Sequence, residues 1–162
     1  MADYKKRIVD SILQDRLEAK GAVLIRGPKW CGKTTTAVQK AASVLKMDNP
    51  ETKEQNLDMA KLSPLRLLKG DVPRLIDEWQ LAPSLWDAVR YEVDRRGEMG
   101  QFILTGSAVP PDTSGMTHSG TGRFSWLMMR PMSLYESGES TGEVSLKEFF
   151  FRKLCRGRRG QT

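Results

Sequence analysis

The residues Gly27-Pro28-Lys29-Trp30-Cys31-Gly32-Lys33-Thr34 fit the pattern G-x-x-x-x-G-K-[ST] in full. The chemistry behind the pattern is phosphate binding. Glycines let a loop turn its backbone N–H groups inward, where they meet phosphate oxygens. Lys33 adds a positive charge aimed at the β- and γ-phosphates of a nucleotide, and the Thr34 hydroxyl is an oxygen ligand suited to Mg²⁺. Gly27, Pro28, Lys29, Trp30, Cys31, Gly32, Lys33, Thr34 and the following Thr35 are therefore the candidate nucleotide contacts. The alternative is a glycine-rich turn with no ligand. Context argues against it, because apolar Ala22-Val23-Leu24-Ile25 precedes the loop and a helical pattern follows. Cys31 lies beside Lys33 near a helix start, where a thiol pKa tends to fall. It occupies a position of the pattern without chemistry of its own, so it reads better as a small residue tolerated in the loop.

A second constellation is Arg74-Leu75-Ile76-Asp77-Glu78, an apolar strand that ends in two carboxylates. In open α/β sheets ligands sit beyond the carboxyl ends of the strands, which places both acids near the phosphates. Asp77 suits contact with Mg²⁺, directly or through the ion's other ligands, and Glu78 suits polarising the water that attacks the γ-phosphate. Two adjacent acids are also common on surfaces, where they would only close the strand and face solvent. The chain has no Asn-Lys-x-Asp element of the kind that reads guanine, so adenine is the expected base.

Elements must hold these groups in place. Tyr4, Ile8, Val9, Ile12, Leu13 and Leu17 recur at three- and four-residue spacing, which predicts a helix over 3–18. Strands are expected at 22–26, around Leu75-Ile76, at Phe102-Ile103-Leu104 and over 124–129, with a shorter one at 43–47 before the Asp48-Asn49-Pro50 turn. Helical patterns run from Lys33 to about Ala42, from Leu62 to Leu68, and from Ser84 through Leu85, Trp86, Val89 and Val93. Strands alternating with helices point to an α/β fold with a mainly parallel sheet flanked by helices. The stretch from Ala108 to Gly122, rich in Pro, Ser, Thr and Gly, reads as a functional or mobile loop.

Composition narrows the class. The 162 residues, 39% hydrophobic and 28% charged, suit one soluble domain, expected over 1–150. No run approaches the length of a membrane span and the start lacks a signal-peptide core, so a cytoplasmic protein without membrane contact is expected. Cys31, Cys155 and the single His118 have no zinc-site spacing, and no structural metal is expected. The net charge of +6 is mostly local: Arg152, Lys153, Arg156, Arg158 and Arg159 carry five of it within 151–162. That segment reads as a solvated, disordered tail, or else as a short basic arm that touches phosphates.

Several segments together resemble the AAA-type prokaryotic ATP-binding proteins. They are Arg74-Leu75-Ile76-Asp77-Glu78-Trp79-Gln80, Trp86-Asp87-Ala88-Val89-Arg90, Gln101-Phe102-Ile103-Leu104-Thr105-Gly106-Ser107, Gly122-Arg123-Phe124 and Arg130-Pro131-Met132-Ser133-Leu134. The resemblance implies a P-loop NTPase domain of the AAA-like kind with the loop strand inside the sheet. It also implies a sensor role for Thr105, with Ser107 close behind, although Thr105-Gly106-Ser107 would equally suit an ordinary turn. Arg123 becomes a candidate arginine finger or nucleotide-state sensor, against the alternative of a surface ion pair. Family members continue past the point where this chain ends, so a missing helical lid and a truncated product are expected. The expected activity is hydrolysis of Mg-ATP to ADP and phosphate. A nucleotide-binding switch or remnant with little turnover is the second reading, and a small kinase the third, which leaves Glu78 without a task. Fold analogy suggests homo-oligomers, with any protein or nucleic-acid partner unspecified.

Overall fold

Each short apolar run becomes a strand because its side chains are buried on alternate faces of one sheet. The computed structural model describes residues 4–106 and 120–143. Strands β1 (Ala22–Arg26), β2 (Ser43–Lys46), β3 (Arg74–Asp77), β4 (Phe102–Thr105) and β5 (Phe124–Met128) pair in the order β2-β3-β4-β1-β5. Every pairing is parallel, so all strand ends with carboxyl polarity lie along one edge. β1 lies inside the sheet between β4 and β5, as expected of the strand that feeds the phosphate loop. The register sets Ile25 and Asp77 opposite Thr105, one on each side of β4.

The helices are α1 (Val9–Ala19), α2 (Lys33–Val38), α3 (Lys53–Leu62), α4 (Pro64–Leu67) and α5 (Ser84–Arg96), with a 3-10 turn at Trp79–Leu81. Two apolar clusters show how they cover the sheet. Ala22 and Leu24 of β1 join Ile76, Trp79, Trp86, Val89 and Phe102. Val23 and Ile25, the alternate residues, join Leu13, Leu17, Ala37, Leu75 and Leu127. A period-two strand buried on both sides is the reason β1 reads as an unbroken apolar run. Trp86 anchors the first cluster, stacked on Phe124 at 4.0 Å and tilted against Trp79 at 5.3 Å.

The chain divides into two units, Ile8–Pro131 and a second made from both chain ends, Met1–Arg7 with Met132–Thr162. In the second, a short helix α6 (Leu134–Ser137) carries a reciprocal cap between Ser133 and Glu136. Arg7 donates to Glu136 at 3.0 Å with both side chains buried, and Lys5 donates to the Ser137 carbonyl. The helix expected from residue 3 begins at Val9. The expected 62–68 helix is two pieces. Pro64 forces Ser63 out of helical geometry (φ −158°), which ends α3 and lets α4 start on the proline. The expected Lys33–Ala42 helix stops at Val38. The 151–162 tail, and the expected loop apart from Gly120 to Gly122, lie outside the described residues.

The C-terminal turn of α5 is held by Glu92, whose buried carboxylate accepts from Arg95 at 2.7 Å and Arg96 at 2.8 Å. The Arg95 hydrogen bond is the main reason its pKa falls from 4.5 to about 2, with burial opposing and Arg96 assisting. A carboxyl depressed on folding stabilises above its unfolded pKa and loses that stabilisation as pH falls through the folded one. Since Arg95 is 59% exposed and screened, the contribution is about 1 kcal/mol. Urea titrations should show wild type more stable than Glu92→Gln at pH 6, with the gap closing between pH 4.5 and pH 2.

Candidate functional site

Beyond the end of β1 the chain turns through Gly27 to Gly32 and enters α2. Two glycines of the loop are there for different reasons. A Cβ on Gly27 would collide with the Met129 carbonyl, so the loop can lie against the end of β5 only without a side chain. Gly32 has φ 95°, a left-handed conformation that glycine adopts at no steric cost. Among the described residues no side chain caps α2, so its first-turn N–H groups suit an anion. The crest of the loop, Pro28, Lys29 and Trp30, is exposed, with Trp30 left-handed at φ 66°.

Cys31 is buried among Val23, Ile25 and Ala37, with its Sγ 3.7 Å from the Met129 carbonyl. It packs the loop onto the core. Lys33 is 7% exposed, and its ammonium donates to the carbonyls of Gly27 (3.1 Å) and Pro28 (2.8 Å). Two of its three N–H groups are thereby used within the loop. Thr35, next to Thr34, is exposed on α2. At the start of the loop, the Arg26 guanidinium lies 3.9 Å from the centre of the Trp126 ring, and partial burial lowers its pKa.

The structure brings Thr34, Asp77 and Thr105 together. Asp77 Oδ1 accepts from the Thr34 hydroxyl at 2.8 Å and from the Thr105 hydroxyl at 2.6 Å. Asp77 is 6% exposed and Thr105 fully buried, so the carboxylate has exchanged water for these two donors. The Thr105 hydroxyl has one proton, and it is on Asp77. Glu78 follows in a left-handed conformation (φ 55°, ψ 42°) that few non-glycine residues adopt, and opens the 3-10 turn. Its Oε2 accepts from Gln80 Nε2. Gln80 was not among the residues singled out for chemistry. Its place two positions after Glu78 is visible in the sequence, but the turn that folds it back is not. Ser107 lies outside the described residues.

Arg123 is the candidate that the geometry does not join to this cluster. It directly precedes β5, and its carbonyl accepts from the Ala22 N–H at the amino end of β1. The phosphate loop leaves the other end, about 13 Å away along four strand steps. Arg123 instead donates to Asp94 Oδ1 at 2.8 Å, and this bond lowers the Asp94 pKa. Within one chain Arg123 makes a surface ion pair at the amino edge of the sheet.

Residues 19–138 match the sequence profile of the AAA domain family. The chain belongs to that family. The loop, the parallel sheet and the match agree on a P-loop nucleotide-binding domain of the ATPase kind. Similar proteins include an uncharacterized protein of Mycobacterium bovis and one of Mycobacterium tuberculosis, each 28% identical over 143 residues. The match covers 86% of this chain and 32% of each relative, so the chain spans about a third of the length of the curated relatives it matches. Among the described residues, no helix is long and apolar enough to cross a membrane.

Because Arg123 sits at the far end of the sheet, Arg123→Ala should leave ATP affinity within about twofold of wild type, the change expected from a lost exposed ion pair. Titration of a fluorescent ATP analogue checks this. A tenfold loss would bring Arg123 back to the site.

Proposed function

We propose that the chain binds Mg-ATP at the loop after β1 and hydrolyses it to ADP and phosphate. The observation that carries this reading is the 2.8 Å hydrogen bond from Thr34 to Asp77, which joins the phosphate loop to the carboxylate closing β3. A hydroxyl and a carboxylate are the hard oxygen donors that Mg²⁺ prefers, and they already share one point in space. When bound, the ion would neutralise negative charge on the phosphates.

The chain's own residues do the rest. Loop and first-turn N–H groups of α2 hold the phosphates, and Lys33 turns its ammonium from the Gly27 and Pro28 carbonyls to phosphate oxygens. Thr34 and Asp77 would hold the metal. Glu78, next to Asp77 and only partly buried, accepts the proton of the attacking water. Thr105 acts through Asp77: its hydrogen bond fixes which carboxylate oxygen is presented, so its role is support of the metal ligand more than contact with the γ-phosphate.

Lys33→Ala should weaken binding of a fluorescent ATP analogue by about 10- to 100-fold, the value of one charge-assisted hydrogen-bonding group. Equal affinities would remove Lys33 from the site. ATP should displace the probe better than GTP, and the reverse order would overturn the adenine assignment. Glu78→Gln should keep ATP affinity while phosphate release falls by roughly 10²- to 10⁴-fold, the contribution of a positioned base. A variant as fast as wild type would show that Glu78 is not that base.

A further inference from the structure

The two adjacent acids differ in how they are held. Asp77 is fixed by Thr34 and Thr105, whereas among the described residues Glu78 has a single side-chain partner, Gln80. We propose that Gln80 is the positioning residue for Glu78, and that Gly106 is a glycine in order to seat the Gln80 amide. This rests on the reading of Glu78 as the group that takes the proton from water.

Gln80 lies in the 3-10 turn, whose backbone is pinned by the Leu81 N–H on the Glu78 carbonyl and the Ala82 N–H on the Trp79 carbonyl. Trp79, 2% exposed and packed on Trp86, anchors that turn in the core. The backbone that carries Gln80 is therefore fixed, and its side chain folds back so that Nε2 donates to Glu78 Oε2. The other end of the amide is informative. Gln80 Oε1 is buried and has no hydrogen-bond partner among the described residues. A bare buried acceptor is costly, so this orientation persists only because the donor end is held. The flipped amide would set an oxygen against the carboxylate, which repels it.

Gly106 supplies the space. A Cβ built there would overlap Gln80 Oε1 and stand 3.1 Å from Gln80 Cδ and 3.2 Å from Trp79 Nε1. Its backbone is not in the left-handed region, so any residue could adopt its conformation. The glycine leaves room for the Gln80 amide where it lies, and a side chain there would displace it. Gly106 directly follows Thr105, so the end of β4 governs both acids, Asp77 through the threonine hydroxyl and Glu78 through the glutamine seated on the glycine.

The proposal makes an uncommon demand: a methyl group added on β4 must reproduce the loss of an amide on the turn after β3. Four variants of the full chain test it, Gln80→Leu, Gly106→Ala, the double variant and Glu78→Gln. Each is followed by phosphate release and by titration of a fluorescent ATP analogue. Gln80→Leu and Gly106→Ala should each lower kcat about tenfold or more, with ATP affinity within about twofold, since a misplaced base costs rate and not binding. The double variant should be no slower than Gln80→Leu, because both changes remove one contact. Wild-type kcat in Gln80→Leu beside an impaired Glu78→Gln would overturn the positioning role and leave Glu78 as base. Wild-type kcat in Glu78→Gln would instead remove the base reading. Multiplied losses in the double variant would overturn the shared contact. An NMR measurement stands apart from turnover. The Gln80 side-chain amide protons should move toward free-glutamine positions in both Glu78→Gln and Gly106→Ala. Unchanged resonances in both would show that Gln80 is neither bonded to Glu78 nor seated on Gly106, and would sink the proposal.

Discussion

One carboxylate oxygen ties the parts of this domain together. Asp77 Oδ1 is taken out of water at the end of β3 and must find donors, because a buried carboxylate without them is far costlier than any single packing contact. Its two donors come from different elements, Thr34 on α2 and Thr105 at the end of β4. The parallel register makes this reachable by placing Asp77 directly opposite Thr105. Shift β3 against β4 by one residue and the carboxylate would exchange places with Ile76, which belongs to the opposite face of the sheet. The apolar pattern of the strands and the polar cluster at their ends thus enforce the same alignment.

The loop is bound to the sheet by a different kind of constraint, close packing. Gly27 and Cys31 both press on the Met129 carbonyl just past β5, one by lacking a side chain and the other by having a small, apolar one. The strand on the far side of β1 thus sets the position of the loop's first residues, and Asp77 that of its last. Between these fixed ends the crest carries Trp30 in a left-handed conformation and 93% exposed, two features that core packing does not require.

What could be read in advance follows from which forces are local. β1, β3 and β4 were visible because strands buried on both sides are continuous apolar runs, and β2 because Val44 and Leu45 stand before a turn. α3 was invisible. Its sequence is mostly polar and only Ala60 is fully buried, so its periodic signal is weak. The loop and the two acids were legible from spacing. The place of Arg123 was not legible from the resemblance, which carries an order of segments but not the end of the sheet at which each lies. A residue just before a strand in a parallel sheet belongs at the amino edge, and that rule would have located it. Gln80 escaped because its role depends on a turn in which Glu78 takes a positive φ, and nothing in Glu78's residue type announces that.

The interior position of β1 has a consequence for how the domain is made. Both neighbours of the strand lie far downstream, about 80 residues on for β4 and about 100 for β5. Closing such distances costs chain entropy before any contact returns it. During synthesis the loop emerges early yet has no wall to lie on until Met129 has been made, and Asp77 lacks its second donor until Thr105 has. Nucleotide held by the native loop alone therefore favours the fully assembled sheet by mass action, by about 2.7 kcal/mol at a concentration one hundred times its Kd. In a chain of this topology the ligand rewards completion of the fold, and partly assembled sheets gain nothing from it.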